Sequence, residues 1–208
     1  MAIFTSVIFS ELRQKLANTV MYKINSKGIM RGKPSRIKNP RTPEQLTQRA
    51  KMSLLVDLSR RFTPIIRESF RERPADLSVH NAFVSNNMRF VVVDENYIAS
   101  IDEKEILCSI GILDIPEVAV STDENGISIT QTKQDATGTG AGDDVVYAGF
   151  YESSIKSARL VKIGKRNETS SVIFTLPKKW VQDNVHIYAF AVSKSKRNTS
   201  PTLYVELS

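Results

Sequence analysis

The sequence predicts a mainly β protein: a basic hairpin and arm, then a short helical segment, then a C-terminal antiparallel β-sandwich of the immunoglobulin or fibronectin kind. Three observations favour this class. Basic residues concentrate near the N-terminus, a helical pattern of apolar residues follows residue 42, and short strand-like segments recur without intervening helices after residue 96. The 208 residues therefore divide into a hairpin and arm over 1–41, a helical segment over 42–92 and a sandwich domain over 93–208.

Residues 18–31 have the pattern of a β-hairpin. Val20, Tyr22 and Ile24 alternate with other side chains, and residues 25–28 are of the types that form turns. The prediction is two antiparallel strands joined by this turn.

A basic segment begins within the hairpin and continues beyond it. Residues 23–51 contain nine Lys or Arg residues and one acid, Glu44, and Pro34 and Pro40 keep the first part of the segment out of helix. Residues 1–74 hold 16 basic and 5 acidic residues, which leaves 13 basic and 17 acidic residues in the other 134. Because a basic run repels itself unless a partner neutralises it, we expect the segment to become ordered against a neighbour.

A strong helix start follows the arm. Thr42 can cap the helix, Pro43 suits its first position, and Gln45 completes a capping box. Apolar residues then recur about every fourth position, which is typical of a helix with one buried stripe. This stripe consists of Leu46, Ala50, Leu54, Leu58 and Phe62.

Two more helices are expected after the first. A second Thr-Pro pair at 63–64 predicts a helix that ends by Pro74, and a shorter helix is expected from about residue 78 to residue 89.

Strand-like patterns follow the helices. The predicted strands are 97–101, 105–112, 117–121, 126–132, 145–151, 158–163, 171–176, 185–193 and 202–207.

No cluster of residues predicts catalysis, a cofactor or a metal site. The three glycines between residues 138 and 142 precede a strand and are not followed by Lys-Ser/Thr, so they predict a flexible loop. His80 and His186 lie on different elements and form no recognised metal set with Cys108, which lies in an apolar run and is expected to be a buried thiol. We therefore expect a protein that is not an enzyme and has no small-molecule substrate.

The N-terminal residues carry no signal-peptide or membrane-span pattern, which predicts a cytoplasmic or virion location without membrane contact.

The basic arm has three interpretations: a solvated charged face, a contact with neighbouring subunits, or a contact with nucleic-acid phosphates. The candidate interaction residues are Arg31, Lys33, Arg36, Lys38, Arg41, Arg49 and Lys51. For contacts between copies of the chain, the candidate acceptors are Asp102, Glu103, Glu105, Asp143 and Asp144.

Four segments carry a resemblance to a known family: SELRQKLANTVMYK at 10–23, NPRTPEQLTQRAKM at 39–52, NAFVSNNM at 81–88, and VHIYAFAVSKS with SPTLYVEL near the end. Together they resemble an uncharacterised family from Bacteroidota and their phages, similar to virion-associated proteins of crAss-like phages. The most specific part is the signature formed by Asn39, Pro40, Arg41, Thr42, Gln45, Gln48, Arg49 and Lys51. The resemblance implies a place in the capsid, neck or tail and implies no catalytic residues.

The hairpin with its Asn39-Pro40 pair is also similar to the DNA-embracing arms of HU-type proteins. The sequence and its resemblances therefore predict two alternative functions. The first is a structural virion protein of a tailed, crAss-like bacteriophage, a symmetric ring component of the neck or tail barrel that contacts its own copies and other virion proteins through the arm. The alternative is a double-stranded DNA-binding protein that uses the arm as a clamp.

Overall fold

The structure is a computed structural model, and its contacts divide the chain into two compact units, which we call unit 1 (residues 1–42) and unit 2 (residues 43–208). The residues that the structure describes are 2–4, 15–16, 18–24, 27–33, 39–71, 73–74, 76–123 and 126–207.

Unit 1 contains a four-stranded antiparallel sheet. Its strands are β1 (Ala2–Phe4), β2 (Lys15–Leu16), β3 (Thr19–Ile24) and β4 (Lys27–Gly32), in the order β1-β4-β3-β2. Strands β3 and β4 pair from Ile24–Lys27 to Thr19–Gly32, which confirms the predicted hairpin. The return strand begins at Lys27, within the segment predicted as a turn, so only two residues connect the strands.

Three α-helices begin unit 2: α1 (Pro43–Arg61), α2 (Thr63–Ser69) and α3 (Val79–Asn87). Helix α1 begins at Pro43, as predicted, and the Ser78 side chain caps α3 by accepting a hydrogen bond from the Asn81 backbone N–H at 3.1 Å. Thr63 lies inside α2, where its hydroxyl donates to the Arg60 carbonyl at 2.6 Å.

The buried face of α1 differs slightly from the predicted stripe. Its fully or nearly fully buried apolar residues are Leu55 and Leu58, and Phe62 follows at the corner before α2. Leu54 is only partly buried, so the buried face is rotated by about one residue from the prediction. Leu55, Leu58 and Phe62 still have the 3–4 spacing that places side chains on one helical face.

The remaining strands of unit 2 are short and antiparallel. They are β5 (Val92–Val93), β6 (Ala99–Ser100), β7 (Val118–Asp123), β8 (Gly126–Gln131), β9 (Val145–Glu152), β10 (Ser157–Lys165), β11 (Ser170–Phe174), β12 (Val185–Val192) and β13 (Leu203–Val205). They form sheets of order β10-β9-β12-β13, β11-β8-β7 and β5-β6. Single 3₁₀ turns cover Met88–Phe90, Glu103–Glu105 and Gln182–Asn184. The chain is therefore mainly β with a helical segment, as the sequence predicts.

The central sheet β10-β9-β12-β13 is buried on both faces. Ile187 and Ala191 of β12 pack in one core cluster with apolar residues of β7 and β8, whereas Tyr188 and Phe190 pack in a second cluster with Phe62. Because alternate residues of a strand point to opposite faces, the three-stranded sheet covers one face and the helices cover the other. The apolar run of β12 is the pattern expected of a strand with both faces covered.

The segment predicted as a strand over 105–112 is not a strand. It forms no ladder, and side chains from distant elements accept hydrogen bonds from three of its backbone N–H groups. The Leu107 N–H donates to Asn87 Oδ1 at 2.8 Å, and the N–H groups of Cys108 and Ser109 donate to Thr202 Oγ1 at 2.8 and 2.7 Å. The predicted strand 97–101 is likewise reduced to Ala99–Ser100.

Candidate functional site

The sheet of unit 1 carries the first two candidate residues. Arg31 lies in β4, is exposed, and holds its guanidinium carbon 5.6 Å from the centroid of the Tyr22 ring. This is the diagonal contact expected across a hairpin, because Val20 pairs with Arg31 and Tyr22 pairs with Ile29. Arg31 therefore belongs to the folded sheet and presents its charge from that surface.

Lys33 directly follows β4. Its side chain is exposed, and its backbone N–H donates to the Asn18 carbonyl at 2.6 Å, which extends the hairpin by one bond. Arg36 and Lys38 lie outside the described residues. Arg41 is exposed in the stretch before α1, which has no regular secondary structure. The structure thus describes three of the five arm candidates, and all three are accessible to a partner.

The last two candidates, Arg49 and Lys51, lie on α1 in unit 2. Residues two apart on an α-helix do not face each other, so these two side chains project in different directions. Arg49 lines a shallow surface depression of about 590 Å³ together with residues three, four, seven, eight and eleven positions further on, the last being Arg60. Arg49 thus shares a helical face with Arg60 and not with Lys51.

The side chains of unit 1 whose burial the structure describes are mostly exposed or half-buried. Among its side chains whose burial the structure describes, Ile29, 7% exposed, is the one buried apolar residue, and Val20, Met21, Tyr22 and Met30 are half-buried. Residues 1–42 also carry nine Lys or Arg residues and one acid, whereas residues 43–208 carry 20 basic and 21 acidic residues. A positively charged sheet of this kind gains stability when a partner covers and neutralises it.

The predicted acidic acceptors of unit 2 differ in availability. Asp102 and Glu105 are exposed, and Asp143 pairs with Lys194 at 3.2 Å. Asp144 is buried, and its carboxylate lies 3.5 Å from the Arg166 guanidinium, whose side chain is only 2% exposed. Asp144 is therefore committed to the interior and cannot receive an arm residue, because a buried ion pair that loses one partner leaves an uncompensated charge.

Unit 2 also contains a partly enclosed cavity of about 190 Å³ between α1 and the segment around residues 100–106. Asp57 and Arg61 lie at its rim, 3.6 Å apart. Tyr151 lines it, and burial raises the pKa of this phenol to about 12. Tyr151 therefore stays protonated near neutral pH and can donate a hydrogen bond to a bound molecule, but it does not serve as a base there.

The predicted buried thiol lies in another part of unit 2. Cys108 is free and fully buried, as predicted, and burial raises the pKa of its thiol well above the usual value. Within the described ranges, no group of three His, Cys, Asp or Glu side chains is placed to hold a metal ion. The helices of the described part of the chain include none that is long and apolar enough to cross a membrane.

The model of a family of unknown function (DUF6266) matches residues 12–206. The chain belongs to this family. No curated protein and no solved structure matches the chain. The matched region includes strands β2, β3 and β4 of unit 1 and nearly all of unit 2.

Proposed function

We propose that this DUF6266 protein is a structural virion protein of a tailed, crAss-like bacteriophage, a repeated ring component of the neck or tail barrel. The observation that most directly supports an assembly role is that unit 1 combines a strongly positive charge with one buried apolar side chain among those described. Such a unit gains its stabilising contacts from neighbours, whereas unit 2 has its own core.

The physical basis of assembly is charge neutralisation together with burial. Exposed Arg31, Lys33 and Arg41 are available to carboxylates of an adjacent subunit, and exposed Asp102 and Glu105 are acceptors of the required chemistry on a further copy. Arginine–carboxylate pairs with two parallel hydrogen bonds would fix the register of one subunit on the next. These pairs would form only on assembly, where their energy would offset the entropic cost of association.

Two features support a structural role for unit 2. Its central sheet is covered on both faces, which makes a rigid block suited to repetition in a ring. Its free thiol is buried, and the buried Tyr188 donates its hydroxyl hydrogen to the Glu103 carbonyl at 2.7 Å, so these two groups serve packing. The virion location itself derives from the sequence resemblance to virion-associated phage proteins, which spans nearly the whole chain.

The test is the native mass of the full chain as a function of concentration. Arg31, Lys33, Arg36, Lys38 and Arg41 are replaced together with Ala, and a matched control replaces five exposed lysines of unit 2: Lys133, Lys162, Lys165, Lys178 and Lys179. We expect a closed oligomer for the parent and the control and a monomer for the arm variant. Finding the protein in purified phage particles would test its location.

The same variants test the alternative function. A parent protein that stays monomeric at all concentrations, yet binds duplex DNA tightly and loses that binding in the arm variant, would contradict the assembly proposal. It would support a double-stranded DNA-binding protein that uses the arm as its clamp.

A further inference from the structure

A second basic surface lies entirely within unit 2. An open groove of about 680 Å³ runs between the end of α1, helix α2, and the turn and strand that follow β9. Five exposed cationic side chains line it, and we call it the basic groove. These side chains are Arg60, Arg61, Arg67, Lys156 and Arg159.

The basic groove concentrates positive charge in a unit whose overall charge is nearly balanced. No carboxylate lines it. Among the described residues, Arg61 is the one of these five side chains that forms an ion pair. Its guanidinium lies 3.6 Å from the Asp57 carboxylate, and both side chains are about half exposed. Arg60, Arg67, Lys156 and Arg159 therefore present their charges to solvent, and together they create a positive potential that attracts anions.

The backbone at Lys156 is held in an unusual conformation at the edge of this groove. Lys156 has φ 56°, the left-handed region that side chains other than glycine rarely adopt. The buried Glu152 carboxylate fixes the turn by accepting hydrogen bonds from Ser154 Oγ at 2.5 Å and from the Ile155 N–H at 2.6 Å. This turn conformation places the Lys156 side chain at the groove.

Two cations lie along one face of α1. Arg49 and Arg60 line the same depression on this helix, which Asp57 also lines, and their separation of eleven residues corresponds to about 16 Å along the helix axis. Successive phosphates of one DNA strand advance about 3.4 Å along the duplex axis, so the path from Arg49 to Arg60 spans about five nucleotides.

We propose that the basic groove binds the sugar–phosphate backbone of a nucleic acid, without reading its base sequence. Four of the five cations are arginines, whose planar forks suit phosphate oxygens. No aromatic side chain lines the groove, so it offers no platform for stacked bases. Contacts of this kind position a nucleic acid by its phosphates and are sequence-independent.

An acidic protein segment is the competing occupant, and the lining of the groove favours the nucleic acid. Protein interfaces usually have a desolvated apolar core with aromatic anchors, whereas nucleic-acid interfaces are polar and positively charged. The apolar side chains here are Pro64, Ile155 and Ala158, and Ala158 is buried in the core of unit 2. The lining therefore matches the second description.

This proposal goes beyond the structural role and concerns a different unit, so the two can fail separately. The experiment measures binding of the full-length protein to a fluorescent 30-base-pair duplex of random sequence at several salt concentrations. The groove variant combines Arg60→Gln, Arg67→Gln and Arg159→Gln, and the control combines Lys133→Gln, Lys178→Gln and Lys179→Gln. Removing three phosphate contacts should reduce the slope of log K against log salt by about 2.7, with little change in the control.

Lys156 provides a second test in which a folding defect cannot mimic the result. Lys156→Gly relieves the left-handed backbone, so it should stabilise the protein while it weakens duplex binding and lowers the salt slope by about 0.9. Lys196, also exposed and at φ 58°, gives the matched control, because Lys196→Gly should stabilise the protein without changing DNA binding.

Two results would overturn the proposal. One is a groove variant that binds the duplex with the same affinity and salt slope as the parent. The other is a poly-glutamate peptide that binds the parent more tightly than the duplex does and loses its binding in the groove variant, which would identify an acidic protein segment as the occupant.

Discussion

The two units of this DUF6266 protein differ in how they balance charge against burial. Unit 1 has nine basic residues, one acid, and a single buried apolar side chain among those whose burial the structure describes. Unit 2 has nearly equal numbers of basic and acidic residues and a sheet packed on both faces. Unit 2 therefore holds its fold through its own core, whereas the stability of unit 1 depends more on what it contacts.

Charge balance over a whole unit does not mean balance at its surface. The acids of unit 2 include groups committed to structure, such as Glu152 in the β9–β10 turn and Asp144 beside Arg166. The cations of the basic groove, by contrast, are exposed. Positive charge is thus available to partners on both units, spread over the sheet in unit 1 and concentrated in one groove in unit 2.

The largest expected effect is the loss of stability when a core side chain of unit 2 is truncated. Phe62 is fully buried, and its ring lies 4.6 Å from Tyr151 and 5.7 Å from both Phe83 and Tyr188. Phe62→Ala should destabilise unit 2 by about 3–5 kcal/mol, because it removes a large ring and leaves a cavity. Urea unfolding of the monomer, followed by far-UV circular dichroism, measures this loss.

Ile29→Ala is the matched truncation in unit 1. It should leave the main unfolding transition of the monomer nearly unchanged, since Ile29 belongs to the other compact unit. An Ile29→Ala variant that lowers the main transition as much as Phe62→Ala does would show that the two units share one cooperative fold and would contradict the comparison.

A smaller effect is expected where a helix approaches the central sheet most closely. A Cβ placed on Gly149 of β9 would lie 2.7 Å from Ile65 Cδ1 and 3.0 Å from Ile65 Cγ1. Gly149→Ala should therefore cost about 1–3 kcal/mol through overpacking. In an Ile65→Val background, which removes Cδ1, the same substitution should cost less. Additive costs in this double-mutant cycle would show that the contact does not limit packing.

Local sequence signals predict much of this fold. The hairpin, the start of α1 at Pro43 and the Ser78-capped α3 follow from turn residues, proline and capping hydroxyls, which act over a few residues. The strands β7 to β12 follow from apolar patterns. The segment 105–112 has the same apolar pattern but is not a strand, and the N–H groups of its residues 107–109 donate instead to Asn87 and Thr202, 20 and about 94 residues away.

The basic groove illustrates a second limit of sequence reading. Arg67 and Arg159 are far apart in the chain and are brought to one surface by the packing of α2 against β10. A local charge count detects the basic N-terminal half but cannot show this convergence. One local signal was present, since Arg49, Arg60 and the residues between them at three- and four-residue spacing predict a shared helical face.

The smallest expected effect concerns pH and again distinguishes the units, since both histidines of the chain lie in unit 2. His186 is half-buried on β12, with its Nδ1 3.0 Å from the Tyr204 hydroxyl. Burial lowers the pKa of His186 below 6.5, and Lys104 acts in the same direction, while Glu103, Asp102 and Glu152 oppose the shift. The folded state therefore resists protonation of this ring.

The sign of the pH effect follows from this lowered pKa. Well above pH 6.5 neither state protonates His186, so its contribution to stability is complete. As the pH falls below 6.5, the unfolded chain takes up a proton that the folded state resists, and the free energy of unfolding decreases until the folded pKa is reached. Urea midpoints at pH 7.5 and 5.5 should therefore differ less in His186→Gln than in the parent. An unchanged difference in His186→Gln would assign the pH dependence of unit 2 to other groups.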